Sequence, residues 1–450
     1  MNVYDGQNNG KIEKQRKWIF LQEINHKETE NVILVGCQFE TDDIAFDNSM
    51  EELKSLVETA KGFVVGTITQ KRQKPEPSTY IGRGKVDELQ VLLDEKDVDT
   101  IVFNDELSPS QIRNVHTRTK KTVIDRTQLI LDIFASRARS REGKLQVELA
   151  QLSYLLPRLA GQGLALSRQG GGIGSKGPGE TQLESDRRHI RRRMDEIKHQ
   201  LEAVVGHRQR YRERRKQNEV FQVAIVGYTN AGKSTILNRL AEVDTLEENQ
   251  LFATLDPTTR QFNLPSGMKI LLSDTVGFIQ DLPTTLVAAF RSTLEELQEA
   301  SLLLHVVDSS NPDYEQHEQT VKELIQELDS ENIPQLIVYN KSEQKDANFF
   351  PTHDEDSIEI SAFDEDDLNS LKEAIEEKLM EQMTEYHVLL KAEEGRLLSR
   401  CRESTIIKKQ EWNEETEHYD IQGYVIPTTA LGHELAIRSI IEPKKVKVEE

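Results

Sequence analysis

Apolar positions change their spacing several times along the chain, and each change marks a different architecture. Across residues 31–127, short runs rich in Val, Ile and Phe alternate with amphipathic stretches. NVILVGCQF, GFVVGTITQ, DTIVFND and TVIDRT read as strands. Between them, SMEELKSLVETA sets Leu53, Leu56 and Val57 at helical spacing, and KVDELQVLLDEK does the same with Val86, Leu89, Leu92 and Leu93. Strand and helix in alternation predict a small parallel-sheet α/β domain over residues 31–136, after an N-terminal extension at 1–30.

From residue 143 the period lengthens. Leu145, Leu149, Leu152, Leu156 and Leu159 advance by alternating fours and threes, the stripe of a helix in a two-helix seam, and Ile190, Met194, Ile197, Leu201 and Val204 repeat it. These predict an antiparallel hairpin over residues 137–217. Its second helix carries Arg187, Arg188, Arg191, Arg192 and Arg193, then Arg208, Arg210, Arg212, Arg214, Arg215 and Lys216. The joining stretch holds Gly170, Gly171, Gly172 and Gly174 with Arg168 and Lys176. It reads either as a flexible connector or as backbone able to approach an RNA phosphate closely. Gly82 to Lys85, GRGK, lacks the earlier glycine and following hydroxyl of a phosphate loop, and predicts a turn that opens a helix.

The pattern becomes chemically specific at Phe221. FQVAIVG is an almost unbroken apolar strand that runs into GYTNAGKS and then the helix TILNRLAEV. Gly227, Gly232, Lys233 and Ser234 fit the G-x-x-x-x-G-K-[ST] spacing in its strand–loop–helix context. Glycines there let successive backbone N–H groups turn inward on a polyphosphate, and the helix N-terminus adds partial positive charge. Lys233 is placed to meet the outer phosphates, with the Ser234 hydroxyl on Mg²⁺. MKILLSD ends in Asp274 and continues Thr275, Val276, Gly277, an acidic group on the metal side followed by an N–H for a terminal phosphate. QLIVY ends in Asn340-Lys341-Ser342-Glu343, and SIEIS in Ser361-Ala362-Phe363; Thr254, in LFATLDPTT, offers a hydroxyl that can close over Mg²⁺. Each strand delivers its residues to the carboxyl edge of a sheet, where open α/β folds bind ligands. From Tyr386 to about Pro443, a strand, a helix and two more strands predict a small α/β module, and residues 444–450 read as a mobile tail.

Charge changes this picture in one respect. The chain of 450 residues has 57 Lys and Arg against 78 Asp and Glu, a net charge of −21. Residues 137–216 nevertheless hold 19 basic and 9 acidic side chains. A basic segment inside an acidic protein points to a local meeting with a polyanion, although a solvated helix face gives the same count. Two cysteines, Cys37 and Cys401, have no metal-ligand spacing and read as buried thiols. No apolar run reaches the roughly 18 residues a membrane helix needs, and the start has no apolar signal core, so a cytoplasmic protein without stable membrane insertion is expected.

The residues from Gly227 to Phe363 resemble the five motifs of a translation-factor-class GTPase. LFATLDPTTR, LLSDTVGFIQDLP and LVAAFRSTLEE, with TYIGRGKVDEL, QLSYLLPRL and GPGETQLESDRR upstream, resemble more closely the HflX family of ribosome-associated GTPases, over roughly residues 30–380. The resemblance implies a P-loop GTPase domain with a mostly parallel sheet at 218–383 and the small module at 384–443. Gly227, Tyr228, Thr229, Asn230, Ala231, Gly232, Lys233 and Ser234 would cradle the phosphates, with Ser234 and Thr254 on Mg²⁺. Phe252, Ala253, Thr254, Leu255 and Asp256 would form the first switch; Asp274, Thr275, Val276 and Gly277 would begin the second. Asn340, Lys341, Ser342 and Glu343 would face guanine, and Ser361, Ala362 and Phe363 would complete the pocket. Lys233, Gly277 and Thr254 would carry the catalytic contacts. The implied substrate is GTP, the implied cofactor Mg²⁺, and the implied partner the large ribosomal subunit and its rRNA, met by a monomer through its N-terminal and hairpin regions to dissociate or rescue ribosomes.

Two positions carry their own physics. The guanine reader usually ends in Asp; Glu343 displaces the carboxylate by about one methylene, which lengthens one of two charge-assisted bonds. Phe278 stands where many GTPases place a water-orienting Gln, and a phenyl ring makes no such bond, so hydrolysis without a partner is expected to be slow. On the residues alone, an ATP-driven RNA-remodelling protein and a membrane or protein scaffolding switch remain open rivals.

Overall fold

A computed structural model describes residues 29–39, 43–167, 178–217, 221–241, 251–252, 258–275, 277–279, 297–346, 348–352, 356–414 and 416–440. The expected extension before Thr29, the glycine stretch with Arg168, Gly170, Gly171, Gly172, Gly174 and Lys176, and the tail lie outside these residues. So do Ala253, Thr254, Leu255, Asp256 and Val276. The side chains of Arg208 to Lys216 are likewise outside the description. The chain divides into two compact units after Ile130.

The first unit contains β1 (Glu30–Gln38), α1 (Asp43–Thr59), β2 (Gly62–Lys71), α2 (Arg83–Glu95), β3 (Thr100–Phe103), α3 (Pro109–Thr119) and β4 (Thr122–Asp125). Its four strands pair in the order β2-β1-β3-β4, all parallel. Parallel neighbours need a crossover, and the helices supply it. Because side chains alternate, Ile33, Val35 and Cys37 join a cluster with Val86, Leu89 and Val115, while Val32 and Leu34 are buried on the opposite face. Gly82 is the residue before α2, so GRGK does open a helix.

Helix α4 (Arg126–Arg137) leads into the second unit, where α5 (Arg141–Ser167) and α6 (Pro178–Gln217) form the hairpin. Leu145, Leu152, Ile190 and Ile197 are buried along the seam, and Arg193 holds Glu148 with two bonds of 2.7 Å. Arg188, Arg191 and Arg192 are exposed, with no ion-pair partner among the described residues.

The central sheet of this unit uses β5 (Gln222–Gly227), β6 (Thr258–Asn263), β7 (Lys269–Asp274), β8 (Leu302–Asp308), β9 (Gln335–Asn340) and β10 (Ser357–Glu359). Helices α7 (Lys233–Leu240), α8 (Tyr314–Glu327) and α9 (Glu365–Met380) accompany it. The order is β10-β9-β8-β5-β7-β6, parallel except for β6 against β7. Both faces of β5 are covered: Val223 and Ile225 join one apolar cluster, and Ala224 and Val226 join another.

A last sheet of β11 (Thr384–Lys391), β12 (Ile406–Asn413) and β13 (His418–Val425), ordered β11-β13-β12 and antiparallel, carries α10 (Gly395–Ser404) and α11 (Ala430–Arg438). The expected strand, helix and two strands are present, and α11 adds to them. Ile406 enters the core of the central sheet beside Ile375, Leu379 and Met383. Cys37 and Cys401 are buried free thiols, as the sequence implied. Among the described residues, no helix is long and apolar enough to cross a membrane.

Candidate nucleotide site

Sheet register assembles the site. Ile225 pairs with Asp274, Gly227 with Val306, and Asp308 with Asn340, so four strands end together at one carboxyl edge. The loop after β5 then has two positions where only glycine fits. Gly227 has φ +153°, and a Cβ there would lie 2.3 Å from the Val306 carbonyl oxygen; Gly232 has φ +94°, and its Cβ would lie 2.2 Å from Asn340 Nδ2. Asn230 is also left-handed, at φ 63°.

Lys233 begins α7 and is buried, its Nζ donating to the Tyr228 carbonyl at 2.6 Å. Burial pushes its ammonium pKa down to about 8, against the opposing pull of Asp274. Ser234 Oγ donates to Asp274 Oδ2 at 2.7 Å, and Thr275 Oγ1 to the Ile225 carbonyl at 2.7 Å. A hydroxyl and a carboxylate so joined at a helix N-terminus are the hard oxygen donors that suit Mg²⁺, which coordinates oxygen and retains waters. Among the described residues no cluster of three or more His, Cys, Asp or Glu offers a rival metal site.

Gly277 and Phe278, which follow β7, lie on this loop. Thr229 N–H donates to the Phe278 carbonyl at 2.7 Å, and Phe278 N–H to the Gly227 carbonyl at 3.2 Å. A Cβ on Gly277 would lie 2.9 Å from Thr229 Cγ2 and 3.1 Å from Lys233 Nζ, so the backbone passes directly over both. The Phe278 ring is 2% exposed, packed with Ala224, Val226, Leu297, Leu303 and Val321. Of the residues expected to form the first switch, Phe252 is buried at φ 54° and meets Phe134 edge-to-face, with ring centroids 4.6 Å apart.

The segment Asn340 to Glu343 is tied to the loop after β5 through one amide. Asn340 Nδ2 donates to the Ala231 carbonyl at 2.9 Å, and Asn340 Oδ1 accepts from Ala362 N–H at 3.1 Å. Lys341 sits in the left-handed region at φ 63° with its Nζ 2.6 Å from Asp308 Oδ2. Ser309 N–H and Oγ both donate to the Asn340 carbonyl, at 2.9 and 2.8 Å. Ser342 N–H reaches the Ile360 carbonyl at 3.1 Å, whereas Glu343 is exposed with no partner among the described residues. Ser361 N–H donates to Asp367 Oδ2 at 2.7 Å, and its Oγ accepts from Phe363 N–H at 3.3 Å. Phe363 itself is exposed.

Three contributors escaped sequence reasoning. Asp308 ends β8 as Asp274 ends β7, and Ser309 follows it, so the apolar run LLLHVVD carried a usable signal. His317 of α8 had none. Its ring stacks on Tyr228 at 3.7 Å and 6°, and burial takes the imidazole pKa down to about 4 while Asp308 pulls it up.

Family models match this chain in three consecutive stretches: a GTP-binding GTPase N-terminal region at 47–135, a GTP-binding GTPase middle region at 137–215, and a 50S ribosome-binding GTPase at 222–341. The GTPase HflX of Alkalihalophilus pseudofirmus is 64% identical over 422 residues, covering 94% of this chain and 100% of that protein. The GTPase HflX of Escherichia coli K12 is 41% identical over 399 residues, covering 87% and 93%. A GTP-binding protein from Sulfolobus solfataricus, solved in complex with GDP, is 24% identical over 78% of this chain and 98% of its own, with a TM-score of 0.44.

Proposed function

This chain belongs to the HflX family of GTP hydrolases, and from that premise we propose that it binds GTP with Mg²⁺ and couples hydrolysis to the large ribosomal subunit, dissociating or rescuing ribosomes in the cytoplasm as a monomer. One observation carries the nucleotide assignment: the Asn340 amide bridges Ala231 of the phosphate loop and Ala362 of the pocket wall, so base and phosphate sites form one hydrogen-bonded body. Guanine presents donors where adenine presents a lone pair, so the Glu343 carboxylate favours GTP over ATP.

In this reading, Lys233 leaves the Tyr228 carbonyl for the outer phosphates and Gly277 offers its N–H to the terminal one. Ser234 and Asp274 would hold the ion, with Thr254 as the further ligand the family motif supplies. Mg²⁺, when bound, neutralises charge developing on the phosphate oxygens. Tyr228, Thr229, Asn230, Val276, Lys341, Ser342, Ser361 and Phe363 complete the contacts, and Phe252, Ala253, Leu255 and Asp256 form the first switch. Phe278 is packed in the core and supplies no hydrogen bond to water, which makes a partner's help in ordering the switches necessary for fast turnover.

The match of residues 222–341 to the 50S ribosome-binding GTPase family supports the partner. Exposed Arg188, Arg191 and Arg192 on α6 supply charge for rRNA phosphates. The test is steady-state GTP hydrolysis with and without purified large ribosomal subunits across a salt series. Strong stimulation that fades steeply with salt is expected. Equal rates in both conditions, with nucleotide binding intact, would remove the ribosome as activator.

A further inference from the structure

Thr229 stands out within the phosphate loop. The residue is 7% exposed, and its Oγ1 is shielded from solvent with no hydrogen-bond partner among the described residues. A buried hydroxyl that makes no bond in one state of a protein is costly, and calls for a partner that another state supplies. Three polar groups beside it are engaged. Thr229 N–H is given to the Phe278 carbonyl at 2.7 Å, Lys233 Nζ to the Tyr228 carbonyl at 2.6 Å, and Ser234 Oγ to Asp274 at 2.7 Å.

Its position narrows the partner. The Thr229 methyl lies directly under Gly277, 2.9 Å from where a Cβ would stand, and Lys233 Nζ lies 3.1 Å from the same point. Thr229, Lys233 and Gly277 therefore enclose one small volume, on which the terminal phosphoryl group of a nucleoside triphosphate converges in the proposed reading. A single staggered rotation about χ1 exchanges Cγ2 for Oγ1 and turns the hydroxyl into that volume.

We propose that the Thr229 hydroxyl is a catalytic contact of this GTPase, donating a hydrogen bond to an oxygen of the terminal phosphoryl group when GTP is bound. The inference rests on the GTPase reading and adds a side-chain donor to the backbone donors of the loop. Such a donor acts on charge that grows on the transferred group, where preorganised dipoles are most effective. It also fits a site whose second switch brings a phenyl ring, Phe278, and so lacks a side-chain hydrogen bond on that side. The hydroxyl keeps its proton throughout, and water remains the nucleophile.

Thr229→Val keeps the shape and the buried methyl but removes the donor; Thr229→Ser keeps the donor and removes the methyl. For both variants and the wild type, affinity is measured for GDP and for a non-hydrolysable GTP analogue, together with the single-turnover rate of GTP hydrolysis. The valine variant is expected to lower the ratio of triphosphate to diphosphate affinity, or the single-turnover rate, by about 10- to 100-fold, the range of a bond to a charged group. The serine variant is expected to stay within about threefold of the wild type, that is within about 0.7 kcal/mol. A valine variant equal to the wild type, or one that weakens GDP and the analogue alike, overturns the proposal by making the side chain a filler of the loop. Failure of the wild type to bind the analogue would overturn the GTPase reading instead. Binding of GDP by each variant serves as the check on folding.

Discussion

Asp308 and Lys341 show how a single pair can hold a recognition site. Among the described residues Lys341 is one of eight non-glycine residues with positive φ, a conformation that costs energy unless its surroundings impose it. Asp308 grips its ammonium at 2.6 Å, and Ser309 clasps the preceding carbonyl twice, so the turn is restrained from both ends. Both side chains are mostly buried, at 22% and 12% exposure, which places the pair between a surface ion pair and a buried one. Asp308→Asn keeps the volume but leaves the cation under-solvated. GTP and GDP affinity should both fall, by about 1–2 kcal/mol, as read by titration with a fluorescent GDP and by competition. Unchanged affinity for both nucleotides would show that the turn holds without its ion pair.

Glu343 faces the opposite situation, exposed and with no partner among the described residues, so in the proposed reading only the base it would meet constrains its length. Shortening it by one methylene, Glu343→Asp, should tighten guanine nucleotides by up to about 1 kcal/mol and leave ATP weak. Competition titration of the two variants with GDP and ATP checks both halves. Comparable affinity for ATP in the wild type would remove the guanine assignment.

At the scale of the element, α8 braces the phosphate loop through His317 stacked on Tyr228. Burial lowers the imidazole pKa from its ordinary 6.5 to about 4, so the folded state favours the neutral ring. The sign follows: the stability from burying this neutral ring is fully present above pH 6.5 and is lost as pH falls toward 4, by at most about 3 kcal/mol. His317→Asn cannot titrate. Urea unfolding at pH 7.5 and at pH 5 should show the wild type losing its advantage over the variant at the lower pH. An advantage that stays constant across that range would show that the stack tolerates protonation.

Elements also differ in how openly their sequences announce them. Strand β5 is, after Gln222, an apolar run buried on both faces, and the turn that follows needs glycine for steric reasons that appear as spacing. Helix α8 places only Tyr314, Glu318, Val321 and Ile325 in the core, and one of those is an acid, so its stripe is faint. Helix α3 had a clear signal that sequence reasoning passed over: Ser108 caps Gln111, whose side chain returns the bond, with Pro109 at the first turn.

At the scale of the whole second unit, the C-terminal module shares a core with the sheet that bears the site. Ile406 opens β12 yet packs with Ile375, Leu379 and Met383, and Tyr424 and Ile426 of the module pack against the same cluster. Ile406→Ala should therefore cost about 2–4 kcal/mol and lower the unfolding midpoint of the nucleotide domain, not of the module alone. Circular dichroism and the temperature at which bound nucleotide is released are expected to move together. Two separate transitions would mean that the module folds independently.

The sequence by itself determined the parts whose chemistry is local. The phosphate loop was legible because Gly227, Gly232, Lys233 and Ser234 lie within eight consecutive residues, and steric demand on a tight turn appears directly as residue type. The helical seam was legible because its period is a property of one helix at a time. Tertiary structure decided what depends on register and on packing between distant segments. Asp308 meets Lys341 across 33 residues because β8 and β9 pair Asp308 with Asn340. Phe278 is buried because two strands and α8 surround it, and Thr229 lies under Gly277 because β7 returns beside β5. A one-dimensional pattern records which side a residue faces; only the folded chain chooses the neighbour it finds there.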